Sequence, residues 1–200
     1  MSRLSKSDLS VVGVYADSGR LGQAIQLGNG KQYRLLDPDP AVLDEKMIAH
    51  SLSQLCRFTG HSSKFYSVAE HCIIVSEIIA EGSCPGYALE GLLHDASEAF
   101  VGDLSRPLKL LLREQGAMYD KVEELAQRAV AKRFGLEYPF PECVKVADNV
   151  ALSTEKRDIM PKGGEKWFNM PEPRRARIEG LQPADAKRAW LRRFKELRRG

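Results

Sequence analysis

What the chain lacks narrows its possibilities first. No apolar run approaches the roughly 20 residues that a membrane-spanning helix needs. Met1-Ser-Arg-Leu-Ser-Lys-Ser has no apolar core behind it, so it does not read as a signal peptide. A cytoplasmic protein with no membrane partner is the expectation. Cysteine is sparse: Cys56, Cys72, Cys84 and Cys143 form no Cys-x-x-Cys pair and read as reduced, mostly buried thiols. Histidine is equally scarce, at positions 50, 61, 71 and 94, yet all four fall within a 45-residue stretch. Packing alone does not explain such clustering of a metal-ligating residue.

At 200 residues, 43% hydrophobic and 28% charged, the chain fits one soluble domain with a sizeable core. Its net charge of +3 hides an asymmetry. Residues 156–200 hold 14 Lys/Arg against 6 Asp/Glu, so the rest of the chain is acidic. The simplest reading of that excess is a solvated basic C-terminal helix. The competing one is attraction of a polyanion.

Residues 11–36 look extended. Ala24-Ile-Gln-Leu, Gly28-Asn29-Gly30 and Gln32-Tyr-Arg-Leu-Leu form a hairpin pattern, with Asn-Gly supplying positive φ angles. Helical periodicity follows. Helices are expected near 43–56, from a capping box at Ser67-Val-Ala-Glu70, over 86–100, after Ser105-Arg-Pro107, over 117–134 up to Gly135, near 142–159 and near 184–199. The Gly-, Pro- and Arg-rich stretch 161–182 reads as a loop or linker. The fold class is therefore mostly α. Residues 1–36 would form a hairpin appendage and 37–160 the helical core. Residues 161–200 would be a linker and a basic helix packed on the same domain.

His94-Asp95 ends the apolar run Tyr-Ala-Leu-Glu-Gly-Leu-Leu-His-Asp-Ala-Ser-Glu (87–98). An imidazole beside a carboxylate in such a setting costs several kcal/mol unless something binds them. His71 lies on the apolar stripe of its helix, and Asp148 on the buried-looking face of Val144-Lys-Val-Ala-Asp-Asn-Val-Ala-Leu. Alone, His71 would read as a hydrogen-bonded core residue and His50 as a core or capping one. Together, two imidazoles and two carboxylates from three helices suit a divalent transition metal with positions open to water.

The order His71, His94-Asp95, Asp148 resembles the signature of the HD-domain phosphohydrolases. Phe65-Tyr-Ser-Val-Ala-Glu-His71 and Leu93-His-Asp-Ala-Ser-Glu-Ala-Phe-Val-Gly-Asp-Leu-Ser-Arg-Pro-Leu-Lys109 resemble the branch containing bacterial 5′-deoxynucleotidases. Ile48-Ala-His-Ser-Leu-Ser-Gln-Leu-Cys-Arg-Phe-Thr-Gly-His61 resembles compact members common in phages, among them dATP triphosphohydrolases; the chain would then act in a host cytoplasm. The resemblance covers about residues 30–160. It implies a helical HD core in which His71, His94, Asp95 and Asp148 hold Co, Mn or Zn, with Mg a candidate additional ion for a triphosphate. The metal would polarise a phosphoryl oxygen and activate water.

The same resemblance makes Glu98 the catalytic acid and Asp103 a second acidic residue that orients water or substrate. Arg57 would contact phosphate through its planar fork, Phe58 would pack on sugar or base, and Lys109 would be a second phosphate contact. His61 would touch phosphate or base, with Arg106 and Lys64 as weaker cations. Family members often carry Trp or Tyr where this chain has Phe58, which touches sugar selection.

Three functions compete. One is removal of triphosphate from a deoxynucleoside triphosphate, dATP by resemblance. The second is a 5′-deoxynucleotidase acting on monophosphates. A triphosphate brings about four negative charges, so the cations lining the phosphate end discriminate the two; Arg57, Lys64, Arg106, Lys109 and the basic C-terminal region tilt the balance to the first. The third, a non-catalytic binding module using the C-terminal helix, predicts degraded ligands, yet all four are present. A small deoxynucleotide is the expected partner rather than nucleic acid, and a homo-oligomer is expected.

Overall fold

The structure is a computed structural model that describes residues 24–164 and 167–199. The extended pattern over 11–23 lies outside the described residues. The chain is mostly helical, with a two-stranded antiparallel hairpin at its N-terminal end.

Strands β1 (Ala24–Gln26) and β2 (Gln32–Arg34) pair with Ile25 opposite Tyr33. Of the Asn29-Gly30 pair only Gly30 takes a left-handed φ, 81°. Asn29 instead donates its amide to the Val42 carbonyl at 3.0 Å and to Asp44 Oδ2 at 2.9 Å. Asp44 then caps α1 (Glu45–Gln54), its Oδ1 accepting from the Met47 amide at 2.8 Å. Tyr33 is fully buried and stacks on Phe100 with centroids 4.2 Å apart, which fixes the hairpin to the helical core.

Helix α2 (Val68–Glu81) is the centre of the molecule, packed against α1, α3 (Ala88–Leu93), α7 (Glu142–Asp158) and α8 (Pro183–Leu197). Val68, Ala69 and Cys72 belong to one apolar cluster and Ile74, Val75 and Ile79 to another, so burial surrounds the helix. Each such valine or isoleucine contributes about 1.5–3 kcal/mol when fully buried. Ser67 caps α2 as predicted, accepting from the Glu70 amide at 3.2 Å. Glu70 does not close the capping box. Its carboxylate accepts from the Leu181 amide at 2.7 Å, because the 178–181 segment lies against that face of α2.

The helix expected over 86–100 is broken. Helix α3 (Ala88–Leu93) gives way to a tight turn over 94–97, with Ala96 N donating to Leu93 O at 3.1 Å and Glu98 N to Asp95 O at 3.0 Å, before α4 (Glu98–Val101). Gln127, on α6, fills the gap: Ser97 N donates to its Oε1 at 3.1 Å and its Nε2 donates to Leu93 O at 3.0 Å. The apolar period runs straight across the break through Leu92, Leu93, Ala96 and Phe100, which is why the sequence does not reveal it. Helix α3 also comes unusually close to α2: a Cβ on Gly91 would stand 3.3 Å from Ser76 Cα.

Helix α5 (Arg106–Glu114) starts with Pro107 in its first turn, and α6 (Tyr119–Phe134) stops at left-handed Gly135, as predicted. Helices α7 (Glu142–Asp158) and α8 (Pro183–Leu197) complete the fold. Helix α8 is not simply solvated. Trp190 is fully buried, Arg193 Nε donates to Ser76 Oγ at 3.0 Å and Arg198 Nη1 to Phe134 O at 3.1 Å. Two further expectations are corrected: His50 is exposed on α1, and of the four free thiols only Cys72 is fully buried. Among the described residues no helix is long and apolar enough to cross a membrane.

Candidate metal centre

Three segments converge where the two apolar clusters meet. His71 comes from the middle of α2, His94-Asp95 from the broken turn after α3, and Asp148 from α7. The Nε2 atoms of His71 and His94 stand 3.3 Å apart. Asp95 Oδ2 lies 3.5 Å from the first and 3.3 Å from the second. Asp148 Oδ1 lies 3.2 Å and 3.9 Å from the same two atoms. His71, His94 and Asp95 each offer a ligand atom within 4.8 Å of the others.

The orientation of both rings is fixed from behind. His71 Nδ1 is 2.6 Å from Glu155 Oε1, and His94 Nδ1 is 2.8 Å from the Gly91 carbonyl. An ionised carboxylate and a carbonyl can only accept, so each Nδ1 carries the proton and each Nε2 presents a lone pair inward. Two lone pairs facing across 3.3 Å between two carboxylates repel unless a positive charge sits among them. The donor set therefore fits a divalent cation of the kind that takes imidazole and carboxylate together.

Titration reflects the same crowding. Burial disfavours charge on His94, but Asp95 outweighs it and the imidazole is raised well above its ordinary value. Burial and Arg57 lower His71, yet Glu155 and Asp148 bring it above ordinary. Burial works to raise Asp95 and Asp148, but the imidazoles hold both carboxyls down. Protons and a metal ion compete for one pair of ring nitrogens.

The other predicted residues divide. Glu98 is buried, and among the described residues its Oε2 has no hydrogen-bond partner. Burial, then Asp95 and Asp103, push its carboxyl well above the usual carboxylate range. Lys109 Nζ lies 3.9 Å from Glu98 Oε1 but is bonded to Glu123 at 2.6 Å. Asp103 is half-buried, with burial raising its carboxyl. Arg57 bridges the cluster, with Nη1 3.4 Å from Asp95 Oδ2 and Nη2 3.4 Å from Glu155 Oε2, while its buried Nε has no partner among the described residues. Phe58 follows in a left-handed conformation, φ 55°. His61 is exposed, and among the described residues no hydrogen bond or ion pair joins its ring to the cluster.

Sequence reasoning missed Glu155 and Tyr66. Glu155 is fully buried and also accepts from the Tyr66 hydroxyl at 2.9 Å. The available signal was its place two helical turns after Asp148, on the same face of α7.

Fold and site together describe a mostly helical protein with a candidate His/Asp metal centre. Uncharacterized protein YfdR of Escherichia coli strain K12 is 34% identical over 168 residues, covering 82% of this chain and 89% of its own length. Uncharacterized protein RCAP_rcc00048 of Rhodobacter capsulatus is 33% identical over 158 residues, covering 72% and 79%. No protein-family model matches. The chain belongs to the family of YfdR.

Proposed function

We propose that the protein is a metal-dependent phosphohydrolase of deoxynucleotides, with His71, His94, Asp95 and Asp148 holding a divalent transition metal. The observation that carries this reading is the pair of Nδ1-anchored imidazoles aimed at one point between two carboxylates, with a buried acid beside them. A divalent ion in that place supplies Lewis acidity toward a phosphoryl oxygen and toward water.

The chain's own residues account for the remaining needs. Arg57, partly buried with its guanidinium against Asp95, binds and orients a phosphoryl oxygen. Glu98, kept protonated by burial and neighbouring carboxylates, gives its proton to the leaving 5′ oxygen. Lys109 faces Glu98 Oε1 and keeps that carboxyl oriented. Asp103 accepts from water or substrate at the rim.

The resemblance makes the substrate a deoxynucleoside triphosphate, dATP first. One observation favours the second reading, a 5′-deoxynucleotidase. Lys64 Nζ is taken up by the Glu179 carbonyl at 2.7 Å, Lys109 by Glu123, Arg193 by Ser76 and Arg198 by the Phe134 carbonyl. That leaves fewer cations for a triphosphate than the sequence suggests.

Product analysis separates the readings. The full chain is incubated with Mn²⁺ or Co²⁺ and a panel of deoxynucleoside mono- and triphosphates. Deoxynucleoside plus intact triphosphate marks the first reading, and free phosphate from monophosphates alone marks the second. No turnover of either class overturns the proposal.

A further inference from the structure

The segment 161–182, expected to be a plain linker, carries a feature that the chemistry above does not use. Trp167 is 37% exposed and Phe168 80% exposed. The Trp167 ring lies 6.2 Å from the Phe58 ring, tilted by 39°, and Lys156 Nζ sits 4.5 Å from its centroid. Phe58 and Lys156 are the chain neighbours of Arg57 and Glu155, which bond each other at 3.4 Å and reach Asp95 and His71. The Arg57 guanidinium carbon stands 5.4 Å from the centroid of the Phe58 ring, so the aromatic pair lies beside Arg57.

The chain spends free energy to build that pair. Phe58 and Thr59 take consecutive left-handed conformations, φ 55° and 54°, each costing about 1–3 kcal/mol for a residue with a Cβ. Such strain persists where the surroundings impose it, and here it falls at the residue whose ring meets Trp167. Lys156 over the Trp167 face adds a cation–π contact that steadies the indole without burying it.

We propose that Trp167, with Phe58, forms a stacking wall for the heterocyclic base of the nucleotide. The inference rests on the phosphohydrolase reading and deepens it. The two rings are too close and too tilted to admit a third between them, so the base leans on the exposed part of Trp167. Its phosphate then reaches Arg57. Stacking of this kind accepts any base, because every base has a π face.

The test compares substrates with and without a base. Full-length wild-type, Trp167→Ala and Trp167→Phe proteins are assayed with Mn²⁺ on deoxyadenosine 5′-monophosphate and triphosphate and on 2-deoxyribose 5-phosphate. Trp167→Ala is expected to raise KM for the nucleotide roughly tenfold and leave the base-free ester unchanged. Trp167→Phe restores most of the loss. Equal effects on both esters, or none on either, overturn the stacking role.

Fluorescence supplies an independent readout. The chain has two tryptophans, and Trp190 is fully buried, so ligand-dependent quenching reports Trp167. In the Glu98→Gln protein with Mn²⁺, deoxyadenosine 5′-monophosphate is expected to quench emission while 2-deoxyribose 5-phosphate and inorganic phosphate do not. Base-independent quenching, or none, overturns the inference. Absence of turnover on every ester would overturn the phosphohydrolase reading alone, and base-dependent quenching would still support the wall.

Discussion

His71 and Glu155 stand 2.6 Å apart, ring nitrogen to carboxylate oxygen, with neither side chain exposed to solvent. A buried carboxylate in that position fixes the ring's tautomer and its angle, and it makes the imidazole a better ligand. It also compensates Arg57 and receives the Tyr66 hydroxyl, so its removal leaves the His71 Nδ1 and the Tyr66 hydroxyl without this partner and Arg57 with Asp95 alone.

Glu155→Gln should therefore keep the fold but weaken metal binding by roughly 10- to 100-fold. Calorimetric titration of the metal-stripped protein with Mn²⁺ or Zn²⁺ measures this directly. Unchanged affinity would show that Glu155 only fills space. Glu155→Ala should also destabilise, because the buried His71 and Tyr66 donors lose their acceptor and Arg57 loses one of its two carboxylates.

Glu98→Gln should separate stability from activity. The folded-state pKa of Glu98 is raised, so the fold favours the neutral acid. That contribution is full below the ordinary glutamate value and is lost as pH rises through the folded value. The neutral amide should thus hold or raise the melting temperature at pH 8 while kcat falls by roughly 10²- to 10⁴-fold. In the wild type, activity should decline on the alkaline side as Glu98 gives up its proton, and this limb should vanish in the variant's residual rate. A variant as active as wild type would remove Glu98 from the reaction.

Asp158 should make stability sensitive to acid. Its carboxylate takes Arg157 at 2.7 Å, Arg177 at 2.6 Å and the Ile178 amide at 3.0 Å, clamping the 174–178 segment to α7. The bond to Arg157 leads in holding its pKa far below the usual aspartate value, against the effect of burial. Its contribution is present above the unfolded value of about 3.9 and fades as pH falls toward the folded one. Urea unfolding at pH 6 should place Asp158→Asn about 1–3 kcal/mol below wild type, with the gap shrinking below pH 3. A gap that does not depend on pH would assign the effect to shape rather than charge.

Much of this fold is legible in the sequence, and the exceptions share a physical cause. Ser67, Pro107 and Gly135 punctuate helices through local chemistry, so their neighbours in sequence suffice to place α2, α5 and α6. His71, His94, Asp95 and Asp148 stand out because each is an ionisable group among apolar ones. The failures involve partners distant along the chain. Glu70 turns to Leu181 instead of its own cap, Asn29 reaches the start of α1 as well as its own turn, and α3 stops where Gln127 takes over one backbone rung. Trp167 was hidden for the opposite reason: its surroundings are a Gly- and Pro-rich stretch, and composition says nothing of what such a stretch lies against.

Gln127 has a wider consequence. Its one amide group bridges the two halves of a single missing backbone rung, Ser97 N–H to Leu93 C=O, from a helix that supplies none of the four candidate ligands. The angle between His94-Asp95 on one side and Glu98 on the other is set by this splice. Replacing Gln127 by glutamate would keep the acceptor for Ser97 but turn the donor toward Leu93 into a second negative oxygen facing a carbonyl. The joint would spring open without any of those ligands having been touched.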